Sequence, residues 1–345
     1  MKSKLKSICV YGALAALCLA TLPAFLGTRG PWAVPEKSER VTVVEPPAAP
    51  DLHPVVGVGR GEEYGAVTET AIENAGGLDG IVKKGDVVLI KPNLCTSPAP
   101  DTPTTTDYRV VQQIVEMVKR SGASRVIIAE GGFSGNAFAR STAARSKYDT
   151  IAGVEFYDFN SCEKEDCYLL TPRKSLLGKS LYIPKPYMDA NVVIDVAKLK
   201  THFQPDAVVS LSLKNAFGVP SERLYGGYGY KDGLHAFPLS DAIVELNLLR
   251  RPDFSVIDGI VGGEGQGPAN NARVRSQVVF AGKDPVALDT VALTFMGFTV
   301  DQVPHVKLAA QEGLGVSDLQ KITVMGAELN AIKMDFKSSF KRFKN

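Results

Sequence analysis

Short apolar runs rich in β-branched residues recur along the chain at 87–90, 126–129 and 192–197, the last interrupted only by Asp195. Runs of that length and composition predict strands buried on both faces, as in a parallel sheet. Between the first two, Asp107 is placed to cap a helix. Val110, Val111, Ile114, Val115 and Val118 share one face of it, and Gly122 lies just past its end. Strand, helix and strand at this spacing predict a right-handed βαβ unit. Upstream, VVGVG from Val55 predicts another strand, and 62–74 a helix stopped by Gly76-Gly77. Downstream, 207–213, FSVIDGI and 273–281 predict further strands. Asp284-Pro285 starts a helix running to Met296, with cap and proline at their preferred positions, and a last short helix with His305 at its surface covers 305–312. The pattern predicts an α/β fold: one mostly parallel sheet with helices on both faces.

The segments around this core have a different character. Lys2, Lys4 and Lys6 precede an uncharged apolar run at 8–26, so residues 1–27 predict a signal peptide or a short membrane anchor, and hence an extracytoplasmic protein, anchored or secreted. Residues 28–54 carry Pro31, Pro35, Pro46, Pro47, Pro50 and Pro54 and predict a semi-extended tether with no packing face. The α/β domain then spans 55–325. A basic tail, 326–345, interleaves lysines with Phe336, Phe340 and Phe343 and predicts a solvated amphipathic end. Residues 136–147 predict a helix. Residues 221–237, rich in Gly and Tyr without apolar period, predict a mobile loop over a site.

Composition narrows the function. The chain is 45% hydrophobic and 22% charged with net charge +2, and Lys2, Lys4 and Lys6 lie in the N-terminal segment. No basic stripe remains for nucleic acid. Three cysteines lie outside the N-terminal apolar run: Cys95, Cys162 and Cys167. Three thiols and no CxxC exclude a self-contained iron–sulfur cluster or an all-cysteine zinc site. In an oxidising compartment Cys162 and Cys167 would close a small-loop disulfide; otherwise they are two free thiols.

Candidate chemistry collects at strand tips. Lys91 and Asn93, Glu130, Lys198, Lys200 and His202, Lys214 and Asn215, and Asp258 all follow apolar runs. Ligands of open α/β sheets bind at the carboxyl ends of strands. Lysines at that edge point to a small anionic ligand, a carboxylate or phosphate. His202 alternates with Lys198 and Lys200, whose charge would hold its imidazole neutral, as a base or metal ligand. His202, Lys200 and Lys214 are therefore the catalytic candidates. Lys91, Asn93, Glu130, Lys198, Asn215, Gly263 and Gly265 are the substrate-binding ones. His202, His235, Asp258 and Glu264 could hold a divalent metal. Gly263 and Gly265 lie in GGEGQGP, which reads as an N–H nest for an anion or as a flexible turn. Gly57, Gly59 and Gly61 approach a dinucleotide fingerprint, but its third glycine would fall at Glu62; a tight turn is the simpler reading.

The order KPNLC, AEGG, AKLKTH, SLKNAFG, VIDGI, GQGP and GKDPVALD, spread over 55–315, resembles the family called domain of unknown function 362. The resemblance implies a bacterial or archaeal α/β protein without an assigned reaction. Some members carry ferredoxin-like iron–sulfur segments and some an export signal. Lys91, Asn93, Lys200, His202, Lys214, Asn215, Asp258 and Asp284 match its pattern. The cysteine run of cluster-bearing members is missing. Three functions stay open: an enzyme for a small anionic substrate, a non-catalytic ligand- or metal-binding protein, and an accessory redox protein partner of an iron–sulfur system.

Overall fold

The computed structural model describes residues 39–96, 99–132, 144–226 and 231–340. Its strands are β1 (Thr42–Val44), β2 (Val55–Arg60), β3 (Val87–Pro92), β4 (Arg125–Glu130), β5 (Glu155–Asp158), β6 (Cys167–Pro172), β7 (Leu181–Pro184), β8 (Val192–Thr201), β9 (Val209–Ser210), β10 (Phe254–Gln266), β11 (Asn270–Val274), β12 (Val278–Gly282) and β13 (Thr323–Gly326). The main sheet runs β13-β2-β12-β10-β8-β3-β4-β5. Along that path only β12 is antiparallel to its neighbours, so the sheet is mostly parallel as the apolar runs predict.

Side-chain alternation sorts each strand between two cores. Val88, Ile90, Val126, Ile128, Val192, Ile194 and Val196 face helices α1 (Tyr64–Asn74) and α2 (Tyr108–Arg120). Leu89, Ile127, Ala129, Val193, Ala197 and Leu199 face the other side. Besides a short helix, α3 (Ser212–Asn215), that side holds α4 (Leu239–Leu249), α5 (Pro285–Met296) and α6 (Pro304–Gln311). Helices cover both faces.

Several expectations are corrected. The glycines of VVGVG make neither a turn nor a fingerprint: they lie inside β2, where a Cβ on Gly57 would collide with Ala71 O and Ala75 N of the α1 segment. Their bareness lets helix and sheet touch. Gly57→Ala is expected to cost about 1–3 kcal/mol, read as a lower urea midpoint at unchanged slope. GGEGQGP is no flexible turn either; most of it extends β10, whose end pairs with β11. The run 207–213 is strand only at β9, because Asp289 of α5 accepts the Ser212 and Leu213 N–H groups (2.8 and 3.1 Å) and starts α3 instead. Within the proline-rich segment, β1 pairs with β6, which pairs with β7, so this stretch has a packing partner. The tail is not wholly solvated, since Phe336 is buried against Phe295. His305 is buried, not on the surface.

Residues 1–27 and most of the expected helix at 136–147 lie outside the described residues. Among the described residues no helix is long and apolar enough to cross a membrane. Cys162 and Cys167 are buried free thiols, with the Cys162 sulfur 3.2 Å from the Tyr157 hydroxyl.

Candidate functional site

The carboxyl ends of β3, β4 and β8, together with α3, wall a cavity of about 100 Å³. It is lined by Asn93, Glu130, Lys200, His202, Lys214, Asn215 and His235, which the sequence marks, and by Cys95, Phe217, Lys231 and Pro268 among others. The volume suits a ligand of a few heavy atoms.

Lys200 and Lys198 project from the same face of β8, yet their fates differ. Lys198 stands opposite Asp258 of β10. The two form an ion pair at 2.8 Å, with both side chains wholly inaccessible to solvent. The Asp258 carboxylate also accepts the Asp107 and Ile260 N–H groups (2.9 and 3.2 Å). Neither residue lines the cavity. The β10 register then shifts, so Lys200 faces Gly263 and meets no carboxylate there. Its ammonium donates to Asn93 Oδ1 (3.0 Å), Thr104 O (2.5 Å) and Pro268 O (3.2 Å). Burial holds its pKa below the usual lysine value.

Asn215 is the hub behind the cavity. Its Oδ1 accepts from Asn93 Nδ2 (2.9 Å) and Lys91 Nζ (3.3 Å), while its Nδ2 donates to Asp195 Oδ1 (2.6 Å). Burial raises the Asp195 carboxyl to about 7, against the opposing pull of Lys91 and Asn215. Lys91 is not a lining residue; it is buried in an ion pair with Glu130, whose Oε1 accepts the Gly132 N–H (3.1 Å). Gly218 closes this layer, since a Cβ there would strike Glu130 Oε1 and Lys91 Nζ.

Lys214 is half-buried at the cavity wall. Its ammonium lies 5.3 Å from the centre of the Phe217 ring, and among the described residues no carboxylate or carbonyl accepts from it. Burial, with the neighbouring charges of Lys200 and Lys91, pushes it down to about 8. Lys231 donates to Gly218 O (2.9 Å) and Phe217 O (3.2 Å), and burial pushes it down to about 7. His202 Nδ1 accepts the Gln204 N–H at 3.1 Å. The ring proton is therefore assigned to Nε2. Burial first, then Lys214 and Lys200, keep this imidazole neutral far below its ordinary pKa. His305 is pushed down to about 3, again chiefly by burial, with the Lys214 charge adding to it.

The proposed metal set does not assemble. His202 and His235 share the cavity, but Asp258 is held by Lys198, and Glu264 by Lys337, whose N–H and ammonium lie at 2.9 and 3.2 Å. Among the described residues no three His, Cys, Asp or Glu side chains converge as metal ligands. Gly263 and Gly265 lie outside the cavity lining, and the Gly265 N–H is spent on Lys337 O (2.8 Å). Lys231 and Cys95 are the residues the sequence reading missed. The spacing of Lys231 and His235 one helical turn apart was a usable signal for the first; nothing near Cys95 distinguished it.

The sequence profile described as domain of unknown function 362 matches residues 88–294. A thylakoid-associated protein of Synechocystis sp. is 30% identical over 252 residues, 73% of this chain and 75% of its own. Among solved structures, the lactate racemase apoprotein of Thermoanaerobacterium thermosaccharolyticum is 16% identical (TM-score 0.43; 68% of this chain, 55% of that one). A Thermotoga maritima protein is 11% identical (TM-score 0.42; 73% and 60%). The chain spans less than two thirds of either solved chain.

Proposed function

The chain belongs to the domain of unknown function 362 family, and from that premise we propose that it is an enzyme whose cavity receives a small anionic substrate, a carboxylate or phosphate. One observation carries this reading. Lys200, Lys214 and Lys231 bring three ammonium groups to one small cavity, and among the described residues none of them has a carboxylate partner. Glu130, the acid at the wall, is already matched by Lys91. Placing unmatched cations together at low solvent access is costly, and a bound anion offsets that cost.

The roles follow from the hydrogen bonds. Lys200 and Lys231 are fixed by neutral acceptors. Asn93 and Asn215 hold that frame. His202, with its proton on Nε2, is a hydrogen-bond donor rather than the base its spacing suggested. Lys231, pushed down to about 7, and Lys214, pushed down to about 8, both titrate near neutral pH, but only Lys214 does so without giving up a hydrogen bond among the described residues. The uncharged apolar run behind three lysines at the amino terminus, and the thylakoid association of the Synechocystis relative, support a membrane-proximal location.

Thermal unfolding titrated with phosphate, acetate and oxalate, against chloride at matched ionic strength, tests the site. The parent should gain stability with at least one of these anions. Lys214→Met should weaken that binding about 10–100-fold, the worth of one charge-assisted hydrogen bond. Anion affinity should fall as pH rises from about 7 through about 8, because deprotonation removes first the Lys231 and then the Lys214 charge. If chloride protects as well as the three test anions do, there is no anion site.

A further inference from the structure

Resting on the anion-site reading, the geometry points to Lys214 as an imine-forming lysine for a small oxo acid, a carboxylate bearing an adjacent aldehyde or ketone.

The three cavity lysines are not equivalent. The Lys200 ammonium is committed to three oxygens and that of Lys231 to two carbonyls. A lysine so held gives up a hydrogen bond when it loses a proton, and its nitrogen stays directed at those oxygens rather than at a ligand. Lys214 has the face of Phe217 beside it and, among the described residues, no hydrogen-bond acceptor. Losing its proton breaks no hydrogen bond among the described residues. The cavity anchors two of its lysines and leaves the third without an acceptor among the described residues.

Attack on a carbonyl needs the neutral amine. With its pKa down to about 8, roughly a tenth of Lys214 is neutral at pH 7. The lysine is also well placed mechanically. Asp289 grips the first two N–H groups of α3, and Asn215, the next residue, is pinned to Asp195, so the backbone carrying Lys214 is held on both sides. The anchored ammonium of Lys200, with that of Lys231 when protonated, would hold the carboxylate of the ligand, and the Nε2 proton of His202 is available to its carbonyl oxygen.

The step balances without redox. The Nζ lone pair forms the C–N bond while the carbonyl π pair moves to oxygen, and one nitrogen proton passes to that oxygen to give the carbinolamine. The C–O bond then breaks, the oxygen leaves as water with the second nitrogen proton, and the nitrogen lone pair closes the C=N bond of the imine. Hydride from an added borohydride would reduce it to a stable secondary amine.

The test incubates the full chain with glyoxylate or pyruvate and sodium cyanoborohydride, followed by intact mass measurement and peptide mapping. One reduced adduct per chain, on Lys214, is expected. Labelling by acetaldehyde, which lacks the carboxylate, should be at least about ten-fold slower, in line with the loss of a charge-assisted contact. Lys214→Arg keeps a cation and should still be stabilised by oxalate, yet form no specific adduct. Adducts scattered over surface lysines at the same rate in parent and Lys214→Arg would overturn the inference; oxalate stabilisation surviving in that case would leave the anion site standing.

Discussion

Asp258→Ala is expected to lower folding stability by about 3–5 kcal/mol, the usual consequence of leaving one member of a buried ion pair without the other. Lys198 would keep its ammonium between β8 and β10 with no solvent access and no counter-charge. The Asp107 N–H at the start of α2 would lose its acceptor as well. Removing both charges should be far milder. Lys198→Met combined with Asp258→Asn keeps the volumes and an oxygen for Asp107, and should lose less than half as much. Urea unfolding of the parent, the single and the double variant gives the comparison. Equal losses in single and double variants would mean that charge is not what holds this layer. Neither residue lines the cavity, so anion binding by the folded double variant should match the parent.

The second large effect is at Asn215. Truncation to Ala removes the acceptor shared by Lys91 and Asn93 and the donor to Asp195 at one stroke. Each buried polar group left unmet costs about 1–3 kcal/mol, so a loss of about 3 kcal/mol or more is expected after partial rearrangement. The anion site should suffer beyond the stability change, because Asn93 also positions Lys200. At a temperature where Asn215→Ala is still folded, weaker oxalate binding than in the parent is expected. Binding at parental strength would show that Asn215 supports the fold without organising the cavity.

Periodicity made much of this architecture legible. β3, β4, β8, α2 and α5 follow from local pattern and capping residues, because each is committed by its own side chains. The misreadings share a cause: a distant residue decided the local conformation. Ser212 and Leu213 belong to an apolar run with strand propensity, but the Asp289 carboxylate far along the chain winds them into a helical turn. Glycines at 262–265 suggest a turn until a partner strand, β11, is available to pair with them.

The site was legible to a lesser depth. Alternation correctly placed Lys198 and Lys200 on one face. It could not say that one meets Asp258 across the ladder while a register shift spares the other. Likewise the sequence put His305 at a helix start, and only tertiary packing makes it wholly buried. Which polar side chain remains free is a property of neighbours, and those neighbours come from segments far apart in the chain.

Strand order also sets a timetable for synthesis. β2 precedes both of its neighbours, β12 and β13, by more than two hundred residues. Until β12 has been made, the backbone donors and acceptors of β2 have no partner strand, an open edge to other nascent chains. Slow decoding ahead of β12 would lengthen that exposure.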